Sequence, residues 1–131
     1  MTGILLDTNA LLRVVSTPER IPARARRQLE DQSNELFVSA ASAWEVAIKT
    51  RIGRLDGAAL LSGWAEILAD MNATDLAIDS TDAATAGQLS WQHRDPFDRV
   101  IVAQAARRGL TIATSDTAIQ QRAITPVIVI R

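Results

Sequence analysis

The sequence predicts an α/β fold, a single domain with a mainly parallel central sheet flanked by helices. Two observations predict it. Short apolar runs at Ile4–Leu6, Leu36–Val38, Leu76–Ile78 and Leu110–Thr114 read as buried strands, and each is separated from the next by helical pattern. A length of 131 residues, 47% of them hydrophobic, suits one domain with a real core. We see no repeat or linker that would divide residues 1–131.

The elements follow in order. Ile4–Leu6 ends at Asp7-Thr8-Asn9, and a helix runs on through Leu11, Leu12, Val14 and Val15. Pro18 and Pro22 mark a loop before a polar, arginine-rich helix at 23–32. The second strand closes at Ser39, which caps a helix through residue 55. There Trp44, Ala47, Ile48 and Ile52 fall at i, i+3, i+4 and i+8 and predict a buried face, with Glu45 at its border. Gly57 to Met71 predicts one amphipathic helix carried by Leu60, Leu61, Trp64, Ile67, Leu68 and Met71. A third strand at 76–78 leads to a short helix at 81–89.

Leu89 to Gly109 reads as a loop feeding a largely apolar helix. Asp95 is an N-cap before Pro96, and Asp95-x-x-Asp98 resembles a capping box. Arg107 and Arg108 suit the dipole of the last turn, and Gly109 suits the left-handed closing position. His93, the single histidine, reads as a structural hydrogen-bonding residue. A fourth strand ends at Ser115-Asp116, a short helix reaches about Arg122, and Val127–Ile130 is a last β-rich run.

Composition narrows the chemistry. The absence of cysteine excludes thiol nucleophiles, disulfides and zinc–thiolate sites, and fits a reducing cytoplasm. No apolar run reaches the roughly 18 residues that span a bilayer, and Asp7 in a segment without a basic start argues against a signal peptide. The net charge of −1 hides an uneven distribution, with clusters at Arg20, Arg24, Arg26 and Arg27, at Lys49, Arg51 and Arg54, and at Arg107 and Arg108. Arginine suits phosphate, although such clusters are as readily solvated helix faces.

Singly, each acid beside a strand end is explained as a helix cap. Together they are not. Asp7, Glu45 and Asp116 each follow a predicted strand, and Asp98 opens a helix that leads to another. The carboxyl ends of strands in an open α/β sheet form one rim, where ligands bind. Four carboxylates on that rim repel each other unless cations sit among them. Oxygen ligands without cysteine point to a hard ion, Mg2+ or Mn2+, and to phosphodiester hydrolysis by metal-activated water, with one carboxylate free to assist as general base. Thr8, Asn9 and Ser115 are placed to orient ligands or touch phosphate.

The stretches LLDTNALL at 5–12, SAASAWEVAIKTRIGRL at 39–55, HRDPFDRVIVAQA at 93–105 and TSD at 114–116 resemble, in order, the motifs of a PIN-domain ribonuclease of the VapC toxin type. The resemblance implies a metal-dependent endoribonuclease with catalytic, metal-binding acids Asp7, Glu45, Asp98 and Asp116, and with Asp95 serving as a cap. It also implies a homodimer, a cognate antitoxin protein, and structured RNA such as tRNA or rRNA as substrate. Ser90-Trp91 stands where the family usually has proline, which bears on loop shape. A PIN nuclease of RNA processing and a non-catalytic PIN interaction module are the rival readings. A phosphatase using Asp7 as nucleophile would need Asp-x-Asp where the chain has Asp7-Thr8-Asn9, and a receiver domain would need a late lysine where the single lysine is Lys49.

Overall fold

Strand β1 (Gly3–Leu6) lies at the centre of a five-stranded sheet, flanked by β2 (Glu35–Ser39) on one side and β4 (Thr111–Thr114) on the other. Strands β3 (Ala73–Leu76) and β5 (Val127–Val129) form the edges, giving the order β3-β2-β1-β4-β5, parallel throughout. The structure, a computed structural model, describes residues 2–122 and 124–131. The chain builds outward from β1 through β2 to β3, then crosses back to β4. The switch point therefore falls between β1 and β4, where an open α/β sheet leaves a crevice beyond its carboxyl ends.

Both faces of β1 are covered, which explains its unbroken apolar run. Ile4 and Leu6 face a core with Leu11 of α1 (Thr8–Ser16), Ala25 and Leu29 of α2 (Ala23–Glu30), and Leu68. Leu5 faces the other core, with Ala41 of α3 (Ala40–Arg51), Ile101, Val102 and Ala105 of α7 (Pro96–Arg108), and Ile119 of α8 (Thr117–Arg122). Helix α7 starts and stops as its sequence directs. The Asp95 carboxylate accepts from Phe97 N at 2.9 Å, Pro96 opens the helix, and Gly109 closes it at φ 65°.

Four expectations need correction. The third strand is 73–76, not 76–78. Register with β2 runs from Leu36↔Ala73 to Ser39↔Leu76, and an edge strand with exposed Thr74 and Asp75 shows little apolar signal. Leu76 and Ile78 instead pack over the core beneath α7. The expected helix at 57–71 is two, α4 (Ala58–Ser62) and α5 (Trp64–Asp70), interrupted at Gly63. Bonds from Gly63 N to Ala59 O at 3.0 Å and from Ile67 N to Gly63 O at 2.8 Å carry the apolar stripe across the break. Asp95 and Asp98 do not form a capping box, because the Asp98 carboxylate is engaged by His93. The reciprocal pair is Asp79 and Asp82, at the start of α6 (Ser80–Gln88).

Helix α3 buries a different face from the one its apolar stripe predicts. Trp44 is 58% exposed and Ile52 53% exposed, while the buried positions are Ala41, Ser42, Glu45 and Val46. The helix is rotated from its apolar stripe because polar groups hold the other face. Ser42 and Thr8 share a hydrogen bond at 3.0 Å, and Trp44 meets Phe97 edge-on at 5.1 Å between centroids. Trp44→Ala is therefore expected to cost only about 1 kcal/mol, the worth of an aromatic pair. Val46→Ala should cost about 2 kcal/mol for a buried branched side chain. Urea midpoints of the two variants check the order, which a buried Trp44 would reverse.

Candidate functional site

Asp7 is the residue immediately after β1, and two demands hold it. Its Oδ1 caps α1 by accepting from Ala10 N at 2.8 Å, and its Oδ2 accepts from the Thr114 hydroxyl at the end of β4. Thr114 Oγ1 in turn accepts from Asp116 N at 2.9 Å, so one hydroxyl ties together the ends of the two strands at the switch point. Asp116 caps α8 through Oδ1 to Ala118 N at 2.8 Å. Its Oδ2 lies 3.9 Å from His93 Nε2. Asp98, in the first turn of α7, accepts from His93 Nε2 at 2.7 Å. Glu45 is buried on α3, with Oε2 2.6 Å from Lys49 Nζ and Oε1 buried without a partner.

The electrostatics show acids crowded out of water. Burial pushes the Asp7 carboxyl up to about 6, with Asp116 and Glu45 adding repulsion against the lowering bonds from Thr114 and Ala10. Burial likewise pushes Asp98 up to about 7, with Asp95, Asp116 and Asp7 repelling its charge and His93 opposing the rise. The hydrogen bond to Glu45 raises the Lys49 ammonium, and the charges of Asp95 and Asp98 act on it too. Among the described residues, His93, Asp98 and Asp116 offer ligand atoms within 4.8 Å of one another. Asp7 stands outside that group but acts on Asp98 as charge, and Glu45 in turn acts on Asp7.

The PIN domain family model matches residues 4–124. The chain belongs to the PIN-domain family. It is also a homologue of a VapC ribonuclease: Ribonuclease VapC22 of Mycobacterium tuberculosis is 33% identical over 117 residues, covering 88% of each chain. Solved structures share the fold. DNA-bound VapBC from Salmonella typhimurium superposes with a TM-score of 0.67 at 21% identity over 98% of both chains. VapBC-5 of Mycobacterium tuberculosis, a member of the VapBC family of toxin–antitoxin systems, gives 0.59 at 18% identity, over 100% of this chain and 99% of that one.

Four features of this PIN domain escaped the sequence reading. His93 reaches the acids, which a lone histidine in a loop does not announce. Thr114 and Ser42 anchor Asp7 and Thr8 through hydroxyls that read only as strand and helix residues. Arg99 was visible as the residue after Asp98, yet its partners lie along a loop whose path the sequence does not specify. Its five N–H donors reach the carbonyls of Ala86, Gly87, Leu89, Trp91 and His93, at 2.6 to 3.3 Å. Lysine has three donors and no fork. Arg99→Lys should therefore lower stability by about 2 kcal/mol and speed amide exchange across 89–95 while the sheet stays protected. Unchanged exchange in that loop would contradict the assignment.

Of the residues expected to support the acids, Thr8 is buried against Ser42, whereas Asn9 is exposed and shares a depression with Ser115, Arg13 and Asp56. The acids as a set fit a divalent cation. Glu45 Oε1 has no partner where one is costly to omit, and two further carboxyls are raised by burial and by neighbouring carboxylates, which a cation would offset. The cationic contacts of the set are Lys49 on Glu45 and, when protonated, His93 on Asp98.

Proposed function

We propose that this PIN domain is an endoribonuclease that hydrolyses RNA phosphodiesters with a divalent ion, Mg2+ or Mn2+, at Asp98 and Asp116, with Asp7 and Glu45 completing the acidic shell. What supports the reading is that Asp7 feels the charge of Asp116 and Glu45, and Asp98 that of Asp116 and Asp7, with Asp7 and Asp98 both raised by burial and by that repulsion. Bound there, the ion would lower the pKa of a water and offset charge growing on the phosphate.

The chain's own residues do the rest. Thr114 keeps Asp7 oriented while holding the backbone of Asp116, so the two acids keep a common frame. Asp116 spends one oxygen on its helix and keeps Oδ2 toward His93. A carboxylate in this group is placed to accept a proton from the attacking water. Lys49, half-exposed on Glu45, is placed to meet a phosphate oxygen. Thr8, Asn9 and Ser115 are proposed supporting contacts.

The biological setting follows the relatives. VapC22 is named a ribonuclease, and VapBC-5 belongs to a toxin–antitoxin family. We extend to this chain the role of toxin, a cognate antitoxin that covers the site, a homodimer, and cytoplasmic tRNA or rRNA as substrate. No helix among the described residues is long and apolar enough to cross a membrane. The test is incubation of antitoxin-free protein with a total RNA pool, in Mg2+ or Mn2+ against EDTA. Discrete cuts that require the metal support the reading. Intact RNA after incubation with folded, metal-saturated protein would favour a binding module.

A further inference from the structure

We propose that His93 is itself a ligand of the divalent ion, so that the centre is mixed nitrogen and oxygen and prefers Mn2+ to Mg2+, and that Arg99 is the positioning residue that brings His93 there. The inference rests on the metal-dependent reading above and specifies its ligand set.

Distances carry the first part. His93 Nε2 is 2.7 Å from Asp98 Oδ2 and 3.9 Å from Asp116 Oδ2, and the ligand atoms of the three residues fall within 4.8 Å of one another. Around an octahedral ion with bonds of about 2.1 Å, neighbouring ligands lie about 3 Å apart and opposite ones about 4.2 Å. The two separations from His93 fall near this range, so that one ion could take all three ligands after small side-chain adjustment. Asp7, whose oxygens accept from Ala10 N and the Thr114 hydroxyl, stands outside this group of three. Glu45 is tied to Lys49.

The second part concerns how the imidazole is held. The loop from α6 to α7 has no secondary structure, yet its carbonyls at Leu89, Trp91 and His93 all accept from the Arg99 guanidinium. The Trp91 ring lies 4.7 Å from the imidazole and limits its rotation. Backbone and ring are therefore both fixed before any ion arrives, which is the condition for tight ligation without an ordering cost. The His93 side chain is 25% exposed, so an ion can reach it. Ligation uses the Nε2 lone pair, and the ring proton then resides on Nδ1. Imidazole nitrogen is a poor ligand for Mg2+ and a better one for transition ions, which gives the preference for Mn2+.

The experiment is pulsed electron paramagnetic resonance of Mn2+ bound to the untagged full chain. His93 is the only histidine in the sequence, so any histidine nitrogen coupling is its own. The expected result is a 14N modulation that changes to the 15N pattern when the protein is labelled with 15N-histidine, a readout that needs no substitution. His93→Gln should abolish the coupling and lower the Mn2+ over Mg2+ preference about tenfold in competition titrations. Arg99→Lys should weaken the coupling with His93 still present. Bound Mn2+ without histidine coupling, or an unchanged metal preference in His93→Gln, overturns the proposal and leaves the carboxylate site standing. Failure of the unmodified chain to bind Mn2+ overturns both.

Discussion

Asp98→Asn protein should lose at least about 10³-fold of its RNA cleavage while melting at a higher temperature than the unmodified chain when both are metal-free at pH 8. The two effects share one cause. Asp98 sits among Asp95, Asp116 and Asp7 in a partly desolvated crevice, which makes its charge costly without an ion and useful with one. Removing one carboxylate ligand forfeits several kcal/mol of charge stabilisation at the phosphate. About 4 kcal/mol is 10³ in rate. Asparagine keeps the shape and an oxygen for His93, so the fold should persist.

The same raised carboxyls set the pH dependence. Asp98 is pushed up to about 7 and Asp7 to about 6, against 3.8 for the ordinary group. Between those values the folded chain holds protons that the unfolded chain has released, so stability falls as pH rises. The contribution is fully present below about pH 4 and is lost by the time pH passes 7. Metal-free protein should therefore lose a few kcal/mol of stability between pH 4 and pH 7.5, since each tenfold difference in proton affinity between folded and unfolded chain is worth about 1.4 kcal/mol. Saturating Mn2+ should restore it at neutral pH. Asp98→Asn should flatten both responses. Differential scanning calorimetry at pH 4.5 and 7.5 reads all of this. An Asp98→Asn protein that melts lower than the unmodified chain at both pH values would identify Asp98 as a structural cap instead. Asp7→Asn is the less clean variant, because its amide would face the hydroxyl that Thr114 donates.

Asp82→Ala is expected to be strongly damaging although it lies away from the crevice, lowering the melting temperature by about 10 °C. Its carboxylate is fully buried and accepts from Arg107, from Arg108 at 2.9 and 3.1 Å, from Gln104 at 3.2 Å, and from Asp79 N at 3.2 Å. Burial alone would raise this carboxyl, but the bonds from Arg108, Asp79, Gln104 and Arg107 hold it well below the usual range. Removal leaves Arg108 without its anion and Arg107 with Asp79 alone, at 3.0 Å, over the α6–α7 contact, at a cost of about 3 kcal/mol. Both arginines are partly exposed and can turn to water, which keeps the cost at the low end. The stabilisation is present above pH 4 and disappears as pH falls toward the depressed value, opposite in sign to Asp98. A shift of only 1 or 2 °C would show that the arginines pair elsewhere. Asp82→Ala should retain cleavage below its melting point, because Asp82 touches none of the crevice acids.

These residues also show how far sequence reasoning reaches. Asp95, Pro96 and Gly109 bound α7 because caps, N1 proline and left-handed glycine act within a few residues of chain. The strand-end positions of Asp7 and Asp116 are legible for the same reason, since an apolar run followed by Asp is a local signal. The alternation of strands and helices carried the fold, and the four spaced motifs carried the family. Trp44 was misplaced because periodicity reports an apolar face but not which neighbour covers it. The Ser42–Thr8 bond and buried Glu45 turned α3 the other way. Arg107 and Arg108 read as dipole complements, while their partner Asp82 lies 25 and 26 residues away.

By itself, then, the sequence determined the elements whose signals are short in range: the central strands, the capped helix α7, and the acids standing at strand ends. Tertiary structure alone decided that His93 meets Asp98 and Asp116, that Arg99 shapes the loop delivering it, and that Asp82 locks α6 to α7. The physical reason is distance along the chain. Caps and turns are settled by neighbouring backbone groups, whereas a buried polar contact exists only once packing has excluded water and left one partner within reach.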